Sequence, residues 1–251
     1  MKSKIIFIAA SVVSLALAAL CGYVFCTRAL GGAALWICVP AYVALLFVSV
    51  IFGDLVHEGA HMLAGLCCKM GVRPDRYKLF RTSSVNVCPV GERGMRGRMI
   101  ATACAGIVAN AVCAVVGIAA ALSAGAFSGC CVLLPYSIYL LIINAVPDDR
   151  NGAKNDGMMV WELITKSPSA QVMLAVLRVQ GMVNGGTALA DIPREMLFDL
   201  PQLPEDDVNF IALTRLRCEY FSACGDGEQA QKYLARYNSL AEYLPPEYRS
   251  E

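Results

Sequence analysis

The chain has 251 residues, of which 57% are hydrophobic and 16% charged, and its mean hydropathy is +0.55. That balance is too apolar for an ordinary soluble domain. A net charge of +1 leaves no electrostatic footprint for DNA or RNA, so no nucleic acid is expected as a partner.

Lys2 and Lys4 flank an apolar run over residues 5–26. The run is long for the apolar part of a signal peptide and fits a spanning helix, which needs about 20 residues. Bulky Leu20 ahead of Cys21 argues against lipoprotein processing. A second apolar block covers residues 33–68. As one helix it would be about 54 Å long against a hydrocarbon core of about 30 Å, so it should bend near Pro40 or protrude. Further blocks over 99–124 and 127–146 are each long enough to cross a membrane.

The 69–98 loop carries eight basic residues (Lys69, Arg73, Arg76, Lys78, Arg81, Arg93, Arg96 and Arg98) and two acidic ones. The opposite short loops, 27–32 and 125–126, offer only Arg28. The positive-inside rule therefore expects the N-terminus, the 69–98 loop and everything after Val146 in the cytoplasm. Tyr77, Phe80, Val85, Val87 and Val90, with Gly and Pro punctuation, suit a short β-hairpin in that loop; a solvated basic loop is the alternative. The twelve cysteines include no C-x-x-C, and most lie in or beside apolar stretches as small hydrophobes.

From Met158 the composition turns soluble. A helix is expected over 158–181 and turns over 193–200 and 203–205. Amphipathic helices over 206–224 and 228–243 follow, joined by Gly225-Asp226-Gly227. Ala212, Tyr220, Ala223, Ala230, Tyr233, Leu234 and Tyr237 resemble one tetratricopeptide-like helical hairpin, but no repeat follows, so a plain helical packing domain is expected. The expected fold is an all-α polytopic membrane protein with about four transmembrane helices, the hairpin in the 69–98 loop, and a small helical cytoplasmic C-terminal domain. Its parts are an N-terminal helix and loop (1–32), a membrane core (33–157) and a helical domain (158–251) open to a cytoplasmic partner.

Both histidines of the chain lie in one pentapeptide, His57-Glu58-Gly59-Ala60-His61. This is H-E-x-x-H: on a helix, residues four apart share a face, so both imidazoles can grip one metal ion. Glu58 stands beside them as a general base for water. A catalytic zinc site needs a third protein ligand, which here should be a carboxylate. The candidates near the membrane are Asp54, Asp148, Asp149, Asp156 and Glu162. Asp54 falls on the same helical arc as 57, 58 and 61, and would accept a hydrogen bond from His57 and set its tautomer. Asn110 and Asn144 lie inside apolar spans, where unpaired amides are costly, so they should face the bundle interior.

Together these elements resemble the site-2 protease family of intramembrane zinc metalloproteases. The matching segments are His57-Glu58-Gly59-Ala60-His61, then Ala105-Gly106-Ile107-Val108-Ala109-Asn110, then Asn144-Ala145-Val146-Pro147, then Asp156-Gly157. The resemblance covers roughly residues 40–160. It implies that Zn²⁺ is held by His57, His61 and Asp156, that Glu58 is the general base, and that Asn144 meets the substrate. The chain departs from the family pattern in placing eight residues between Pro147 and Asp156 and in having Asn155 where Leu is usual. Asp148, Asp149 and Glu162 compete with Asp156 for the third position.

The expected function is a multi-pass cell-membrane zinc endopeptidase that cuts membrane-embedded proteins or peptides near the cytoplasmic face. The alternatives are a non-catalytic scaffold that binds transmembrane segments and recruits cytoplasmic partners, and a hydrolase of soluble peptides that uses Glu162.

Overall fold

The computed structural model describes residues 2–29, 34–74, 85–91, 93–123, 132–150 and 153–244. The apolar blocks fold as α1 (Lys2–Val24, continued by a π-helical turn Phe25–Ala29), α2 (Leu35–Cys67), α3 (Met95–Leu122) and α4 (Leu133–Ala145). Three of them, over Ser3–Arg28, Leu35–Cys67 and Met95–Leu122, are long and apolar enough to cross a membrane. The protein is therefore read as membrane-associated and mainly helical. The 13 residues of α4 make a helix of about 20 Å. Residues 124–131, where the fourth apolar block begins, lie outside the described residues.

α2 runs as one helix of 33 residues, about 50 Å, with Pro40 held inside it. Its buried positions are Cys38, Tyr42, Ser49, Gly53, His57, His61 and Gly65. They form a stripe at steps of four, with one step of seven from Tyr42 to Ser49, small or polar throughout. Val43, Phe47, Phe52, Leu55 and Leu63 face outward and exposed. α3 repeats the arrangement, burying Thr102, Gly106, Asn110, Ala114 and Gly117 while Val108, Val112 and Val115 face out. A soluble helix does the reverse. Small and polar residues inside, with bulky aliphatics outside, are what lipid selects, because apolar side chains gain nothing there from burial. Side chains tie the helices together: Ser14 Oγ donates to the Pro135 carbonyl at 2.8 Å and Tyr42 Oη to the Ala18 carbonyl at 2.7 Å.

After α2 the chain turns through Lys69 at φ 55° into β1 (Gly71–Pro74), which pairs antiparallel with β2 (Val85–Cys88). The tip of the expected hairpin, 75–84, lies outside the described residues. Two of the loop's basic residues cap helix ends. Arg98 donates to the carbonyls of Cys68, Lys69 and Val90, and Arg96 to those of Leu163 and Ile164. Each satisfies carbonyls that a helix end leaves unpaired, and places a cation at its negative pole.

α4 is followed by a two-residue ladder, β3 (Asp149–Arg150) with β4 (Ala153–Lys154), and then α5 (Asp156–Thr165). The expected single helix over 158–181 is corrected here: it is two, α5 and α6 (Pro168–Asn184). Lys166 ends α5 in the left-handed conformation at φ 55°, and the Ser167 side chain caps α6 by accepting from the Ala170 N–H. Pro168 stands at the first position of α6, where its missing N–H is harmless, and it bars the preceding residue from continuing a helix. Beyond a 3₁₀ turn at Leu189–Asp191 and a short α7 (Glu195–Phe198), α8 (Val208–Ala223) and α9 (Gly227–Leu240) form a hairpin that turns through Gly225 at φ 77°. Val172, Val179, Leu197, Leu213, Phe221 and Ala230 make its core, with Phe198 and Tyr233 against Phe221.

Candidate metal centre

α2, α3 and α5 meet around three atoms. His57 Nε2 and His61 Nε2 lie 3.1 Å apart, and Asp156 Oδ2 lies 3.3 Å from each. Among the described residues, His57, His61 and Asp156 are the group of three whose ligand-type atoms come within 4.8 Å of one another. Ligands bound at 2.0–2.1 Å around a tetrahedral ion stand about 3.3–3.4 Å apart. The observed triangle has that size, so the three residues fit a zinc ion.

The outer ends of the imidazoles decide which atoms carry protons. His61 Nδ1 lies 2.7 Å from the Thr102 carbonyl. A carbonyl only accepts, so the proton sits on Nδ1 and Nε2 offers a lone pair. His57 Nδ1 lies 2.9 Å from the carboxamide of Asn110, itself 1% exposed. With the amide nitrogen facing the ring, the proton of His57 sits on Nε2, among the three central atoms. With the amide turned half over, Oδ1 accepts from Nδ1–H instead, and three electron pairs converge on one point. The first arrangement suits a shared proton and the second a cation. Oδ2 of Asp156 is buried and makes no well-aligned hydrogen bond to either ring, which leaves it an orphaned acceptor. Burial pushes the Asp156 carboxyl up, but the adjoining His57 and His61 outweigh it and hold it below the usual carboxylate range.

Asp156 reaches the histidines because Asn155 fixes the start of α5. The Asn155 Oδ1 accepts from the N–H of Asp148 at 3.1 Å and of Met158 at 2.9 Å. Its Nδ2 donates to the carbonyls of Ile143 at 2.6 Å and Val146 at 2.7 Å. One side chain thus joins the end of α4, the turn after it and the first turn of α5, and it leaves Asp156 as the first helical residue. Gly157 then sits against the end of α4, where a Cβ would lie 2.5 Å from the Ala145 carbonyl oxygen. Gly106 does the same for α3: a Cβ there would lie 2.4 Å from His61 Nε2 and 2.5 Å from His57 Cε1. Asn155 does not stand out as part of the site in the sequence, and Gly106 enters there only within the small-residue segment that ends in Asn110. The available signals are the strong preference for Asn at a helix N-cap and the position of Gly106 on the helix that carries Asn110.

The other candidates are placed as follows. Glu58 is half-buried next to His57 and lies within electrostatic reach of His61. Asp54 is on the same arc, as expected, but its partner differs. Its Oδ1 accepts from Tyr136 Oη of α4 at 2.6 Å, while the His57 ring is oriented by Asn110. Asn144 is half-buried near the end of α4, its carbonyl against Gly157. Glu162 lies 2.9 Å from Lys154 Nζ and does not join the three-atom cluster. Asp148 is buried and Asp149 exposed in β3, and neither joins the three-atom cluster. Compared with protein-family models, with curated proteins and with solved structures, the chain matches none.

Proposed function

We propose that this protein is an intramembrane zinc endopeptidase of the site-2 protease type. The observation that carries the reading is the convergence of His57 Nε2, His61 Nε2 and Asp156 Oδ2 within 3.3 Å, inside a bundle whose outer surface is aliphatic. His57, His61 and Asp156 would hold the ion. Bound there, zinc would supply Lewis-acid chemistry, lowering the pKa of water to about 7 and polarising a carbonyl. Glu58 accepts the proton of the attacking water on a carboxylate oxygen and later returns it to the leaving amine. Thr102 and Asn110 keep the rings oriented through that exchange. Asn144, on the rim beside Gly157, binds the substrate backbone. A helical substrate hides its amides in hydrogen bonds, so it unwinds before cleavage, and the β1–β2 ladder receives the extended segment by strand addition.

In this reading the fourth apolar block completes a four-span topology, with the N-terminus, the 69–98 loop and the C-terminal helices in the cytoplasm. The substrate is a membrane-embedded protein or peptide cut near that face, and α6 to α9 offer a surface to a cytoplasmic partner. Reporter fusions at residues 30 and 85 should fall on opposite sides of the membrane; same-side signals overturn the topology.

The decisive measurement is zinc per chain in detergent-purified protein, followed by cleavage of a membrane substrate. The wild type should carry about one zinc and Asp156→Ala little. Glu58→Gln should keep its zinc and lose cleavage. Little zinc in the wild type would favour a membrane scaffold, and unchanged cleavage by Glu58→Gln would refute the proton-transfer role.

A further inference from the structure

A second feature lies away from the histidines, where α3, α5 and α6 meet. A cleft of about 350 Å³ opens between the end of α5 and the first turns of α6. Leu163 and Leu174, both buried, form its floor. Arg96, Lys166 and Arg178 stand around it with Gln171, and no carboxylate lines it. Lys166 and Arg178 are exposed, and among the described residues neither pairs with an acidic side chain. Arg96 is held in place by its bonds to the Leu163 and Ile164 carbonyls through Nε and Nη2, which leaves Nη1 to a ligand.

The depth of the cleft narrows the choice of ligand. α3 carries no charged residue from Met99 to Leu122, and Arg96 stands one turn before that stretch. Those uncharged residues span about 36 Å at 1.5 Å each, enough for the hydrocarbon core, so Arg96 sits at headgroup level. On α5, Trp161 is 56% and Ile164 55% exposed. Exposed Trp beside a spanning helix is the side chain that settles at the membrane–water boundary.

We infer that this cleft binds the phosphate headgroup of an anionic phospholipid, with Arg96, Lys166 and Arg178 on the headgroup and Trp161 and Ile164 in the interface beside it. The site belongs to the membrane contact of the chain and does not depend on the proteolytic reading. It would anchor α5, the helix that carries Asp156, against the bilayer surface.

The chain has two tryptophans, Trp36 and Trp161, so a Trp36→Phe background reports Trp161 alone. The full chain is reconstituted in phosphatidylcholine vesicles doped with brominated phosphatidylglycerol or with brominated phosphatidylcholine, and quenching of Trp161 gives the relative association constant of the two lipids. The anionic lipid should be preferred. Lys166→Gln with Arg178→Gln should weaken that preference roughly 30-fold, at about fivefold for each basic side chain near an anionic surface. Both residues are exposed, so the variant keeps its fold. Equal quenching by the two lipids, or a preference that survives the double variant, overturns the assignment. Loss of the preference on adding inorganic phosphate, or tight binding of an acidic peptide in detergent, would reassign the cleft to a soluble anion or to a protein partner and equally overturn it.

Discussion

Replacing Gly106 by Ala tests the proposed metal centre from a helix that contributes none of its three proposed ligands. The new Cβ would lie 2.4 Å from His61 Nε2, 2.5 Å from His57 Cε1 and 2.7 Å from His57 Nδ1. Carbon contacts are comfortable at about 3.5–4.0 Å, so both rings must retreat by about 1 Å. They have little room to do so, since His61 is tied to Thr102 and His57 to Asn110. Metal–ligand distances tolerate only about 0.2 Å, so the displacement is several times what a site can absorb. Loss of one supporting hydrogen bond typically weakens a metal site about 10–100-fold, and moving two ligands at once should exceed the upper figure. The overpacking should add a stability loss of about 1–3 kcal/mol. Gly59→Ala is the control, because it lies inside H-E-x-x-H with nothing within 4 Å of its Cβ. It should keep its zinc and gain up to about 0.5–1 kcal/mol from reduced backbone freedom. The assay is competition for zinc with a chelator, beside circular dichroism to verify that the helices persist. A folded Gly106→Ala chain with wild-type zinc affinity would refute the placement of the ion between these three atoms.

Asn155→Ala removes four hydrogen bonds at once. At about 0.5–1.5 kcal/mol net for each, it should lower stability by about 2–6 kcal/mol and weaken zinc binding too, since Asp156 follows directly; thermal unfolding in detergent reads the first effect and chelator competition the second. Lys154→Met leaves the buried Glu162 without its cation and should cost about 3 kcal/mol, of which the added Glu162→Gln change should restore a good part, as thermal unfolding of the two variants would show. Zinc retention should fall on the acid side as protons compete for the two imidazoles. Asp156, held below the usual carboxylate range, stays ionised through that window, so a zinc-release curve should follow histidine protonation; release only in the range of carboxylate protonation would contradict this.

The sequence makes the histidine pair legible because it needs only one helix: the spacing of 57 and 61 puts both rings on one face whatever surrounds them. What the neighbouring helices present is harder to read. Asp54 does lie on the ligand arc, but an arc fixes only a direction around its own axis. The partner that meets each residue comes from elsewhere, Tyr136 from α4 for Asp54 and Asn110 from α3 for His57. Asn155 hides for a similar reason. Its capping role is local and foreseeable, whereas its grip on Ile143 and Val146 depends on how α4 ends. The break between α5 and α6 was open to reading, since Ser167-Pro168 is a start signal, but apolar periodicity on both sides conceals it.

Polar groups in an apolar bundle carry their own argument about use. Inside α1 to α4 they are largely paired: Ser14 with Pro135, Tyr42 with Ala18, Tyr136 with Asp54, His61 with Thr102, His57 with Asn110. Among the described residues two buried side-chain atoms make no hydrogen bond, Ser49 Oγ and Asp156 Oδ2. The two are not equivalent. A serine hydroxyl on a helix can rotate to the carbonyl one turn back, so its deficit is small. A carboxylate oxygen has no proton to give and must be given one, or a positive charge. Away from water an unmet acceptor costs several kcal/mol. Asp156 Oδ2 stands beside two imidazole nitrogens, at the spacing of ligands around a small ion, with Asn155 and Gly157 shaped to hold it there. With the Asn110 amide turned so that Oδ1 accepts from His57 Nδ1–H, a cation shared with His57 and His61 relieves all three acceptors at once, which is the physical reason to look for zinc before looking for a substrate.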